Sequence, residues 1–136
     1  MSPHQQPVRA LRICVVENHS DTRHMLSVLL RQQGHELGLA ESCAAARALF
    51  DAEAFDVLIS DIGLPDGDGW QLLQDLAHRQ ARPLFAIAIS GYGTSVDHSR
   101  SLASGYRYHL VKPVALASLI PLLREAADSM GAVAPG

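Results

Sequence analysis

The sequence predicts an α/β domain, a five-stranded parallel sheet with helices on both faces. Apolar runs of strand length alternate five times with segments whose apolar residues recur at helical spacing. The runs are nearly continuous rather than alternating with polar residues, as in strands buried on both sides. Each run also stops abruptly at a polar residue, which bears on function rather than on fold.

The first strand is Leu11-Arg12-Ile13-Cys14-Val15-Val16, and it stops at Glu17-Asn18. Ser20 or Asp21 is placed to cap the next helix, whose Met25, Leu26, Leu29 and Leu30 share one face, and Gly34 suits its C-terminal end. Glu36 to Leu39 is a short, weakly specified strand near the sheet edge. Ser42 caps an Ala-rich helix running to about Phe50. The central strand, Val57 to Ile59, leads to Asp61, and Pro65, Gly67 and Gly69 punctuate the loop beyond it. Asp68 caps a helix that buries Trp70, Leu72, Leu73 and Leu76. Pro83 interrupts, and Leu84 to Ile89 forms the fourth strand, ending at Ser90-Gly91. Gly91 and Gly93 make a loop, and Ser95 or Asp97 starts a short helix that ends near Gly105. Tyr108 to Val111 is the fifth strand, ending at Lys112-Pro113. The last helix covers Leu116 to Ser129. Pro121 would remove one hydrogen bond inside it, so either this helix starts late, capped by Ser118, or it bends near Pro121.

Right-handed crossovers leave few ways to connect such strands. The flavodoxin-like order 2-1-3-4-5 is one of the two common doubly wound arrangements, and its ligand site lies between strands 1 and 3, at their carboxyl ends.

The chain has 136 residues, which fits one domain with a real core. Residues 10–130 are read as that domain, with 1–9 a flexible lead-in and 131–136 a flexible tail. A composition of 48% hydrophobic and 18% charged residues excludes disorder. A net charge of −3 provides no basic field for nucleic acid. No apolar run is long enough to span a bilayer, and Met1 to Pro7 lacks the apolar core of a signal peptide. Two cysteines, Cys14 and Cys43, fit neither a disulfide framework nor a metal cluster; they read as buried small residues in a reducing, cytoplasmic setting. No output domain is expected within these residues, whether the chain is a single-domain protein or a domain cut from a larger one.

The polar residues that end the strands are Glu17-Asn18, Asp61, Ser90 and Lys112. Any one alone would be an ordinary turn former or solvated side chain. Four at the ends of four strands converge on one rim. An acidic pair with oxygen ligands suits a hard cation such as Mg²⁺. A lysine and a hydroxyl suit a phosphoryl group, and an aspartate can itself be the nucleophile in aspartyl-phosphate chemistry. Asp66 and Asp68 fit loop and cap roles better than ligation.

These motifs closely resemble those of a response-regulator receiver domain, over Leu11 to Ser129. Asp61-Ile62-Gly63-Leu64-Pro65-Asp66-Gly67-Asp68-Gly69 matches the family's phosphorylation segment, Ser90-Gly91-Tyr92-Gly93 its hydroxyl loop, and Val111-Lys112-Pro113 its lysine-proline signature. His109 to Val114 further resembles receivers attached to hybrid histidine kinases. The resemblance implies that Asp61 accepts a phosphoryl group from a phosphohistidine of a histidine kinase or phosphotransfer protein. It implies Mg²⁺ held by Glu17, Asn18, Asp61 and the Gly63 carbonyl, with Ser90 and Lys112 on the phosphoryl oxygens and a cis Lys112-Pro113 bond. It implies a downstream protein on the face of helix 4, strand 5 and helix 5, with a homodimer as one option, and neither nucleic acid nor membrane as partner. Two positions depart from the family's pattern. Asn18 stands where most receivers carry an aspartate, and His109 where the switch aromatic lies, while Tyr108 should point to the other side of its strand.

The main rival is a pseudo-receiver that docks without phosphorylation, favoured by Asn18 and His109 and opposed by Asp61, Ser90 and Lys112. An independent enzyme fits worse. Gly63 stands where a haloacid-dehalogenase-type phosphatase needs a second Asp, and Val96 where a dinucleotide loop needs its third glycine. No P-loop is present. Leu64 occupies the first-ligand position of a would-be calcium loop, and the seven histidines show no zinc spacing. At most the chain would catalyse its own phosphoryl transfer and autodephosphorylation.

Overall fold

Residues 9–91 and 95–131 are described in a computed structural model of the chain. Residues 1–8 of the proposed lead-in 1–9, the loop glycine Gly93 and residues 132–136 of the proposed tail 131–136 lie outside the described residues.

Five strands, β1 (Arg12–Val16), β2 (Glu36–Ala40), β3 (Val57–Asp61), β6 (Phe85–Ser90) and β7 (Tyr108–Val111), form one parallel sheet in the order β2-β1-β3-β6-β7. Counted within this sheet alone, that is the expected 2-1-3-4-5, with the second strand at an edge. Between β3 and the next helix, β4 (Gly63–Leu64) and β5 (Gly67–Asp68) form a two-residue antiparallel ladder around Pro65-Asp66, where the sequence suggested only a loop. The helices are α1 (Ser20–Gln32), α2 (Cys43–Ala52), α3 (Gly69–Ala77), α4 (Ser95–Ala103) and α5 (Leu116–Gly131).

Side chains alternate across the sheet and divide the core in two. Ile13, Val15, Val57, Ile59, Ile87 and Ile89 pack with Leu26 and Leu30 of α1 and with Leu119 and Leu123 of α5. Cys14, Val16, Leu58, Ala86 and Ala88 pack on the opposite face with Ala46 and Phe50 of α2 and with Leu72, Leu73 and Leu76 of α3. Both cysteines are free and buried, and burial pushes their thiols up, to about 12 for Cys14 and about 11 for Cys43. Tyr108 points to the α5 side and donates to Glu125 at 2.6 Å, so it faces away from the β7 neighbour His109.

The caps explain several boundaries. Asp68 Oδ1 accepts from the Gln71 N–H at 2.8 Å, and Ser42 Oγ accepts from the Ala45 N–H at 3.1 Å, both as expected. Asp66 adds a second cap to α2 from a distance, accepting from the Cys43 and Ala44 N–H groups at 2.8 and 3.0 Å. These bonds, from Ala44 first, hold its carboxyl below the usual range. At α1 the expectation fails. Ser20 and Asp21 lie inside the first turn, and the N-cap position is His19, which makes no side-chain cap bond. The reason is Glu17, whose carboxylate takes the His19 N–H at 3.0 Å and starts the helix one residue early. The late start of the last helix at Ser118 fails too. Helix α5 begins at Leu116, its first turn closes through Ser118 and Leu119 N–H bonds to the Ala115 carbonyl, and the helix runs through Pro121.

Gly69 is required by close approach. A Cβ there would lie 2.5 Å from the Asp61 carbonyl oxygen and 3.0 Å from Ile62 Cα, both backbone atoms. The Gly69 N–H donates to the Ile62 carbonyl at 2.7 Å, so α3 begins pressed against the end of β3. Gly69→Ala must push these segments apart. It is expected to destabilise the fold by about 1–3 kcal/mol, the usual cost of overpacking, read as a lowered urea midpoint. An unchanged midpoint would show that the α3 start can retreat freely.

Candidate phosphoryl-transfer site

The backbone register assembles the site before any side chain does. Val16 pairs with Ser60 and Asp61 with Ile89, so Glu17, next after Val16, stands beside the end of β3. Ser90 pairs with Val111, and the Lys112 N–H donates to the Ser90 carbonyl at 2.8 Å. Four strand ends thus share one rim. An open cleft of about 700 Å³ lies there, lined by His19, Asp61, Gly63, Ser90, His109 and Lys112 among others.

Lys112 Nζ stands between two carboxylates, 2.6 Å from Glu17 Oε1 and 2.7 Å from Asp61 Oδ2. Glu17 is fully buried and Asp61 nearly so. Asp61 Oδ1 also accepts from the Gly63 N–H at 3.3 Å. The Lys112-Pro113 peptide is cis. One ammonium for two carboxylates leaves the cluster with a net negative charge. Burial raises Glu17, but the Lys112 and His19 hydrogen bonds outweigh it and leave that carboxyl below its ordinary value. At Asp61 burial and the Glu17 charge win over Lys112, and its carboxyl is raised. Burial lowers Lys112, but its two carboxylates raise it overall, so it stays charged.

Oxygen donors fit a hard cation here. Carboxylate oxygens of Glu17 and Asp61, and with them a His19 ring nitrogen, lie within 4.8 Å of one another, the cluster carries residual negative charge, and Gly63 adjoins Asp61. Asn18 is exposed at the same rim. His19 escaped the sequence reading, in which the histidines showed only an absence of zinc spacing; as the α1 N-cap it faces Glu17, with Nδ1 3.6 Å from Oε2.

Ser90 and His109 are brought into contact, with Ser90 Oγ 2.7 Å from His109 Nε2. His109 Nδ1 lies 2.7 Å from Ser101 Oγ on α4, which accepts from the Trp70 indole N–H at 3.0 Å. Ser101 gave no signal in the sequence, because one serine on a short helix matches no motif.

The family model described as response regulator receiver domain matches residues 13–124. An uncharacterised 14.6 kDa protein from the sodA1 3′ region of Leptolyngbya boryana is 31% identical over 123 residues, covering 88% of this chain and 92% of that protein. The virulence sensor protein BvgS of Bordetella bronchiseptica is 30% identical over 128 residues, 90% of this chain but only 10% of its own length. A CheY-like receiver domain protein from Methanospirillum hungatei JF-1 superposes with a TM-score of 0.83 at 25% identity, covering 92% of this chain and 99% of that one.

Two buried carboxylates on one lysine leave Asp61 as an acid held in its less favoured charged state. Because its folded value lies above the ordinary 3.8, Asp61 costs no stability below that value, and the full cost is present once pH exceeds the folded value. Asp61→Asn is therefore expected to raise the urea midpoint at about pH 7 by on the order of 1 kcal/mol of stability, with the gain vanishing in acid. A lower midpoint at neutral pH would contradict this electrostatic balance.

Proposed function

The chain belongs to the response regulator receiver domain family of two-component signalling, and we propose that Asp61 is its phosphoacceptor, taking the phosphoryl group from a kinase or phosphotransfer-protein phosphohistidine. The observation that carries this is Lys112 Nζ lying 2.7 Å from Asp61 Oδ2 in a cleft that Ser90 also lines. An Asp61 carboxylate oxygen attacks phosphorus, the P–N bond of the phosphohistidine breaks, and its electron pair leaves on the imidazole. Lys112 and Ser90 donate hydrogen bonds to the phosphoryl oxygens. Glu17, Asn18, Asp61 and the Gly63 carbonyl would hold Mg²⁺, which supplies charge neutralisation between the acceptor and the incoming group when bound. The new charge of roughly −1.5 to −2 then draws Lys112 from Glu17 and reorients Ser90, biasing the α4–β7–α5 face toward another partner. That face carries two exposed apolar side chains, Leu102 on α4 at 58% and Val111 on β7 at 45%, which suits protein docking.

The receiver domain of the Saccharomyces cerevisiae response regulator Ssk1, solved with the histidine phosphotransfer protein Ypd1, superposes with a TM-score of 0.82 at 20% identity, covering 92% of this chain and 94% of that one, a likeness of fold alone.

A second reading, a docking module that works without phosphorylation, draws on Asn18 and His109. One experiment decides between them. With acetyl phosphate and Mg²⁺, intact mass measurement is expected to show one added phosphoryl group on the wild-type protein and none on Asp61→Asn. An unlabelled wild type, or label persisting in Asp61→Asn, would sink the assignment.

Asn18 yields a separate expectation. An amide supplies an oxygen ligand but no charge, so Asn18→Asp should tighten Mg²⁺ binding by roughly tenfold, the scale on which ligand charge tunes such sites, and Glu17→Gln should nearly abolish it. Trp70 fluorescence during Mg²⁺ titration reads both. Unchanged affinity in Asn18→Asp would place Asn18 away from the metal.

A further inference from the structure

We propose that Trp70 and Ser101 are positioning residues for phosphoryl transfer, acting through His109 to set the direction in which Ser90 donates its hydroxyl proton. The inference rests on the reading of Ser90 as a phosphoryl-binding group. Its basis is a continuous chain of hydrogen bonds: Trp70 Nε1 to Ser101 Oγ at 3.0 Å, Ser101 Oγ to His109 Nδ1 at 2.7 Å, and His109 Nε2 to Ser90 Oγ at 2.7 Å.

The direction follows from the donor inventory. An indole N–H can only donate, so Ser101 Oγ accepts from Trp70. Ser101 is fully buried, and its hydroxyl meets the Trp70 indole and the His109 ring. A buried hydroxyl uses its proton, and His109 Nδ1 is the acceptor within reach. That leaves the proton of the neutral imidazole on Nε2, which donates to Ser90 Oγ. Ser90, accepting there, directs its own proton to another acceptor, and a phosphoryl oxygen in the cleft is one.

The surroundings hold this chain in place. His98 stacks on His109 with ring centroids 4.3 Å apart and planes 10° apart, and the Arg100 guanidinium lies 4.0 Å over the Trp70 ring. Burial and the neighbouring His98 lower His109, against a smaller opposing effect of Asp97, which favours the neutral ring the chain needs. An aromatic hydrocarbon ring in place of His109 could fill the space but could not pass on a donor direction.

The test combines two measurements on the full chain. Long-range ¹H–¹⁵N spectra of the wild-type imidazoles at about pH 7.5 are expected to show His109 as the Nε2–H tautomer. Trp70→Phe, which keeps an aromatic ring but loses the donor, is expected to slow labelling by acetyl phosphate roughly three- to tenfold, the worth of one net hydrogen bond. In a Ser90→Ala background the same substitution is expected to change nothing, because the chain then has no end to act on. An Nδ1–H tautomer, or an equal loss in both backgrounds, would overturn the relay while leaving Asp61 as phosphoacceptor. An unlabelled wild type would overturn the phosphoacceptor reading itself, and the relay's role with it.

Discussion

The site depends on one ammonium placed between two buried carboxylates. Lys112 Nζ touches Glu17 at 2.6 Å and Asp61 at 2.7 Å, and its charge offsets part of the cost of burying both acids. The arrangement is deliberately unbalanced, because one positive charge faces two negative ones. A divalent cation or a rearrangement of the lysine relieves that imbalance, which makes the cluster responsive in a way that a neutralised pair would not be.

The sheet makes this placement possible. Parallel strands bring all their carboxyl ends to the same edge, and hydrophobic burial on both faces holds the register that aligns them. Helix α3 then starts against the Asp61 carbonyl, with no room for a side chain at Gly69. Asp66 ties the intervening ladder to the start of α2. The acceptor loop is therefore fastened at both ends, while the acid between them faces the cleft.

His109 changes how the site communicates with its flank. It sits on the same sheet face as Ser90 and is hydrogen-bonded through both ring nitrogens. Packing contacts have no preferred direction, whereas a hydrogen bond weakens steeply as its angle falls below about 120°. A polar connection from β6 to α4 and α3 thus binds the rim to two helices more specifically than a hydrocarbon ring would.

Much of this was legible in the sequence, because continuous apolar runs and their polar ends are local signals. They specified five parallel strands, four of them ending at Glu17, Asp61, Ser90 and Lys112, while the order was one of two common doubly wound arrangements until the pairing decided it; Ser42 and Asp68 were legible as caps because capping too is local. Other features needed the tertiary structure. Ser20 and Asp21 looked like caps until the Glu17 carboxylate claimed the His19 N–H, and Asp66 caps a helix 22 residues upstream of it in sequence at Ala44. Ser101 joins Trp70 and His109 across 31 and 8 positions of chain. Such contacts join residues with no fixed spacing, so no periodicity encodes them; only the packing of α3 and α4 against β6 and β7 decides which polar groups meet.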